Sequence, residues 1–110
     1  MTVKIDALKR RLHEQLTKNI TLEFVSNPSG AIRMVLWLIE DPQYYDIEML
    51  RTDGKSLNKN ALCLDIKTRL HEYIRKYSMN SYSVSDAITD TLDLLSKIGV
   101  TVIDTRNGNY

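Results

Sequence analysis

The sequence predicts a mostly helical α+β fold in which three to five helices pack on a small antiparallel sheet, with strands near residues 21–25 and 100–104. Apolar residues recur at helical spacing along several segments, and two short β-prone runs stand apart from them. Only four Gly and two Pro interrupt the chain, which favours long regular elements. A length of 110 residues matches one globular domain spanning residues 1–110.

The first predicted elements are a helix and a strand. An amphipathic helix is predicted from about Lys4 to Asn19, because its apolar residues recur every three or four positions: Ile5, Leu8, Leu12 and Leu16. Residues 21–25 alternate apolar and polar side chains and predict a short strand, and residues 26–30 form a turn cluster after it.

Residues 31–40 are apolar on every side, so periodicity does not decide between a helix and a buried strand. Ser29 as an N-cap favours a helix, whereas Glu40 and Asp41 oppose the dipole at a helix end. We favour the helix, and in either case we expect Trp37 in the core. Asp41 followed by Pro42 then predicts a new, short helix that runs to about Leu50.

The C-terminal half predicts two more helices and a strand. A helix from about Lys59 to Tyr77 has an apolar stripe, which comprises Leu62, Ile66, Leu70, Tyr73, Ile74 and Tyr77. A second helix begins at Ser83, where Asp86 completes a pattern similar to a capping box, and it ends before Gly99. Residues 100–103 predict a strand, and Asn107-Gly108 a turn.

The composition predicts a cytoplasmic protein. A single cysteine excludes an intramolecular disulfide, the N-terminus has no signal-peptide pattern, and the longest apolar run is too short to span a bilayer. The net charge is +1, but it alternates along the chain: +3 over residues 1–20, −4 over 21–50, +4 over 51–80 and −2 over 81–110. Such blocks can fold into separate basic and acidic surfaces.

No catalytic, metal-binding or cofactor-binding pattern stands out. Gly54-Lys55-Ser56 copies only the end of a phosphate-binding loop, since Met49 stands where that motif needs its first glycine. His13 and His71 belong to different predicted helices, and Cys63 lies at the edge of an apolar stripe. We therefore expect neither an enzyme nor a bound cofactor.

The leading functional hypothesis is a small binding or regulatory protein that acts through protein–protein interaction, as an adaptor, an inhibitor or a self-associating subunit. Aromatic residues and Met are enriched at the centres of interfaces, and an acidic helix face suits a basic partner. The candidate interface residues are Met34, Trp37, Tyr44, Tyr45, Met49, Asp86, Asp90 and Asp93. The partner is another protein or a second copy of the chain.

The alternative is a nucleic-acid-binding transcriptional regulator with a degenerate winged-helix-like C-terminal half, because two helices, a strand and a turn succeed one another in that order. Its candidate contacts are Lys9, Arg10, Arg11, Lys67, Arg75 and Lys76. The helix that would enter the major groove carries mainly carboxylates, which phosphates repel. This charge makes nucleic-acid binding the second hypothesis.

Overall fold

The computed structural model describes residues 2–18, 28–77 and 81–106, with side chains in the first helix described from Ala7 onward. These residues form a mostly helical α+β fold with a two-stranded antiparallel sheet, as the sequence predicts. The elements in chain order are α1 (Thr2–Thr17), α2 (Pro28–Glu40), a 3₁₀ turn (Pro42–Tyr45), β1 (Ile47–Arg51), α3 (Lys59–Lys76), α4 (Val84–Lys97) and β2 (Val100–Asp104).

The sheet joins two segments that are far apart in the sequence. β1 and β2 run antiparallel, with Met49 opposite Val102 and Leu50 opposite Thr101. The strand predicted near residues 100–104 is confirmed as β2. The strand predicted at residues 21–25 and the turn at Asn107-Gly108 lie outside the described residues.

The helix predicted from Pro42 to about Leu50 is wrong beyond its first turn. Pro42 does begin a helical turn, but Asp46 adopts a left-handed conformation with φ of 54° and ends it. The next five residues form β1, whose Ile47 and Met49 are buried. Local start signals set only the first turn, whereas pairing with β2 and burial of every second side chain determine the rest.

α2 is the central helix, which explains its apolar surface. It packs against both α3 and α4, while α1 packs against α4. Seven of its residues are buried: Ala31, Ile32, Met34, Val35, Leu36, Leu38 and Ile39. The preference for a helix over residues 31–40 is therefore confirmed. Trp37 is only half-buried and packs against the edge of the core.

Hydrogen bonds at the helix ends set where α3 and α4 begin. The Asn58 side chain accepts from the Ala61 N–H at 3.0 Å and begins α3. Ser83 and Asp86 form the predicted capping box of α4. Of the predicted stripe of α3, Leu62, Ile66 and Leu70 are buried, but Tyr77 is exposed at the end of the helix.

Candidate functional site

The structure places most of the predicted aromatic and methionine interface residues inside the protein. Met34 is fully buried, and Tyr45 and Met49 are also in the core. Tyr44 is 71% exposed and meets the Tyr45 ring edge-on at 5.0 Å. Of this group, Tyr44 is therefore the residue that offers a large apolar surface to a partner.

The three acidic residues of α4 each have a partner within the protein. Asp86 accepts hydrogen bonds from the Ser83 N–H and hydroxyl, and Asp93 forms an ion pair with Lys97 at 3.1 Å. Asp90 accepts a hydrogen bond from the Tyr82 hydroxyl. Burial, and then this hydrogen bond, raises the pKa of Tyr82 well above its ordinary value. This face of α4 thus carries carboxylates that already stabilise the fold.

The Arg11 side chain also makes its polar contacts within the protein. Its guanidinium donates to the Tyr45 carbonyl at 2.7 Å, to the Asp46 carbonyl at 3.1 Å and to Asp104 Oδ1 at 2.9 Å. Its side chain is only 13% exposed. This geometry makes Arg11 a link between α1 and the sheet, and its remaining donor, Nε, is buried.

The other predicted nucleic-acid contacts lie on two separate helices. Lys9 and Arg10 belong to α1, which packs on α4, whereas Lys67, Arg75 and Lys76 are exposed on α3. Lys76 lies over the ring of its neighbour Tyr77, 5.5 Å from the ring centroid. The structure therefore divides this basic set between two helices.

The free edge of β1 is a candidate site that no local sequence pattern indicated. The Thr105 N–H donates to the Asp46 carbonyl, and the Thr52 N–H donates to the Gly99 carbonyl. Hydrogen-bonded pairs alternate in an antiparallel ladder, so Glu48 and Leu50 bond to β2 while the backbone groups of Ile47 and Met49 point away from it. No other strand of the described residues lies along that edge.

A cleft of about 390 Å³ borders this edge. Its apolar lining comes from the end of α2, the 3₁₀ turn, β1 and the loop before α3, and comprises Ile39, Pro42, Ile47, Met49 and Leu57. Its polar lining comprises Gln43, Glu48, Lys59 and Thr105. Apolar side-chain space beside backbone groups that no described strand pairs suits an added β-strand.

The outer face of the sheet adds apolar surface to this region. Residues directly opposite each other in an antiparallel pair share a face, so Leu50 lies with Thr101, and Glu48 lies with Ile103. Leu50 is 48% exposed, and Ile103 is half-buried. The free edge and this partly exposed face together form the β1 surface, defined by Ile47, Glu48, Met49, Leu50 and Ile103.

The histidines and the cysteine lie away from this cleft. Neither His13, His71 nor Cys63 lines it, and residues 2–18, 28–77 and 81–106 contain no group of three or more His, Cys, Asp or Glu placed to hold a metal ion. Burial raises the pKa of the Cys63 thiol, and the negative charge of Glu40 raises it further. The thiol is therefore protonated near neutral pH. Among the described helices, none is both long and apolar enough for a membrane span.

Comparison with known proteins gives no relative: no family model, no curated protein and no solved structure matches the chain.

Proposed function

We propose that the protein is a non-enzymatic binding protein that acts through protein–protein interaction at the β1 surface, where β1 of a second copy occupies the free edge. The observation that carries this proposal is the row of outward backbone groups on β1 beside an apolar cleft. Exposed strand edges are ready templates for pairing with another chain. Main-chain hydrogen bonds would supply affinity, and the cleft would select side chains.

A two-fold axis at Met49 satisfies the geometry of such a pair. Two antiparallel β1 strands related by this axis place Met49 opposite its copy and Ile47 opposite Arg51 of the other copy. These residues carry the backbone groups that point away from β2, so the pairing extends the two-stranded sheet to four strands. An interface of this kind uses the same patch on both subunits.

The charges around the cleft favour a second copy over an unrelated partner. The cleft is lined by one carboxylate, Glu48, and one ammonium group, Lys59. Both side chains belong to exposed residues. In a two-fold arrangement each charge of one copy can face the opposite charge of the other, so the rim is complementary to itself.

A charge-swap experiment tests this arrangement. We expect size-exclusion chromatography with light scattering to show a dimer, and Glu48→Lys or Lys59→Glu to shift it toward monomer, because each variant opposes like charges across the axis. The double variant E48K/K59E restores the unlike pairs and should restore the dimer. Glu72→Lys, which makes the same charge change at an exposed position of α3, is the matched control and should leave the dimer unchanged.

Two results would overturn the proposal. One is a protein that stays strictly monomeric at every concentration measured. The other is a dimer that Glu48→Lys and Lys59→Glu weaken no more than Glu72→Lys does, because such a dimer uses a different surface.

A further inference from the structure

A second cavity lies between α1 and the start of α4, away from the β1 surface. Its volume is about 300 Å³, and it is lined by Lys9, Arg10, His13 and Ser85. Lys and Arg are positively charged at neutral pH, and no carboxylate lines the cavity. A liquid water occupies about 30 Å³, so the space accommodates a hydrated anion.

Neither cation in this cavity forms an ion pair with a carboxylate of the described part of the chain. Its four ion pairs are Arg11–Asp104, Arg51–Asp53, Arg69–Asp65 and Lys97–Asp93. Lys9 and Arg10 belong to none of them. Asp86, the residue after Ser85, accepts its hydrogen bonds from the Ser83 N–H and hydroxyl.

A neighbouring cavity differs from the first one in its lining charges. It shares Arg10 but is also lined by the carboxylates of Glu14 and Asp104, beside Arg11 and Arg106. Two carboxylates offset most of the charge of three guanidinium groups there, whereas no carboxylate lines the cavity of Lys9, Arg10 and His13. The excess positive charge therefore lies on the side of α1 that faces Ser85.

We infer that this cavity binds a phosphate group through Lys9 and Arg10, with the Ser85 hydroxyl as a further donor. An Arg guanidinium binds phosphate oxygens through two parallel N–H donors, and Lys adds a point charge. The Ser85 N–H, in the first turn of α4, has no acceptor within its own helix. The phosphate group comes from a small free anion or from a nucleic-acid backbone, and both present the same oxygens.

Titration of the 110-residue chain with inorganic pyrophosphate, monitored by isothermal calorimetry and by NMR amide shifts, tests this site. We expect saturable binding with shifts centred on Ser85 and on residues 9–13. The double variant K9A/R10A should weaken binding about tenfold or more, since two charge-assisted contacts are lost. The matched control K67A/R75A removes two exposed positive charges from α3 and should leave the affinity unchanged.

The conservative variant K9R/R10K keeps both charges and should retain binding, which separates loss of the site from loss of the fold.

A parallel titration with a short DNA duplex at low salt distinguishes the two sources of phosphate. DNA binding that K9A/R10A abolishes assigns the site to a nucleic-acid backbone. Binding of pyrophosphate without binding of DNA assigns it to a small anion. No saturable binding of either probe, or an equal loss in K67A/R75A, would overturn the inference. The charge-swap experiment on β1 reports independently of these results.

Discussion

Arg11 and Asp104 form an ion pair at 2.9 Å that joins α1 to the end of β2, 93 residues later. The same guanidinium donates to the carbonyls of Tyr45 and Asp46, just before β1. One side chain thus binds both strand ends of the sheet to α1. These contacts bring together segments that lie far apart in the sequence.

Replacing Arg11 by Met should lower the free energy of unfolding by about 2–4 kcal/mol, because two backbone carbonyls and a carboxylate lose a mostly buried charged donor. Arg69→Met is the control: its ion pair with Asp65 is exposed, so the expected change is about 0.5 kcal/mol or less. Urea unfolding measures both. Equal effects of the two substitutions would contradict the assigned role.

The buried phenol of Tyr82 should make the protein less stable in alkaline solution. Its pKa in the folded protein is raised above the ordinary value of 10.0, first by burial and then by the hydrogen bond to Asp90. Below pH 10 the phenol is protonated in both the folded and unfolded states; above it the unfolded state releases the proton first. The unfolding free energy should therefore fall as pH rises past 10, by up to about 1.4 kcal/mol per pH unit for this group.

Tyr82→Phe should remove this contribution to the fall of the unfolding free energy with rising pH, whereas Tyr44→Phe, at an exposed position, should not. Burial also raises the pKa of Tyr45, so Tyr45 contributes to the pH dependence of both proteins. The difference between Tyr82→Phe and the wild type therefore reports on Tyr82 alone. Urea unfolding at a series of pH values above about 9 supplies the slopes. An unchanged slope in Tyr82→Phe would show that Tyr82 does not carry the effect.

The helices could be predicted because their signals are local. Periodic apolar residues predict helices over residues 4–19 and 59–77, where the described residues form α1 (Thr2–Thr17) and α3 (Lys59–Lys76), and the Ser83–Asp86 pair marks the start of α4. Pro42 is also a correct local signal, since a helical turn begins there, although the Asp41 side chain forms no capping hydrogen bond. The strand after that turn depends on pairing with β2, about fifty residues later, and no local pattern carries that information.

The candidate sites were harder to predict for the same reason. Periodicity places Arg11 on the polar side of an amphipathic helix, but the end of the sheet packs over that position and buries it. Met34, Tyr45 and Met49 belong to residue types that are enriched at interfaces, yet all three are buried in the core. The β1 surface exists only because one edge of a long-range strand pair is left without a neighbour in the described structure.

Gly99 should tolerate a side chain less well than Gly54. Both adopt positive φ, 87° and 77°, so alanine at either position should cost about 1–2 kcal/mol. A Cβ on Gly99 would lie 3.2 Å from Thr52 Oγ1, whereas a Cβ on Gly54 would meet nothing within 4 Å. Thermal unfolding should therefore rank Gly99→Ala as the more destabilising substitution.

If contact with the Thr52 hydroxyl causes the extra cost of Gly99→Ala, removing that hydroxyl should remove the extra cost. In a Thr52→Ala background, the cost of Gly99→Ala should fall to that of Gly54→Ala. A cost that is the same in both backgrounds would assign the effect to φ alone.

Amide hydrogen exchange measures the free edge of β1 residue by residue. Glu48 and Leu50 donate to β2, so their amides should be protected at every protein concentration. The amides of Ile47 and Met49 point to the open edge and should exchange faster in dilute solution. If a second copy pairs there, their exchange should slow as concentration rises, while that of Glu48 and Leu50 stays constant.

The E48K variant supplies the control, because its amides at 47 and 49 should still exchange fast at the concentration that protects the wild type. Protection of Ile47 and Met49 that does not change with dilution would mean that this edge is already covered within one chain, and an interface between copies would then have to lie elsewhere.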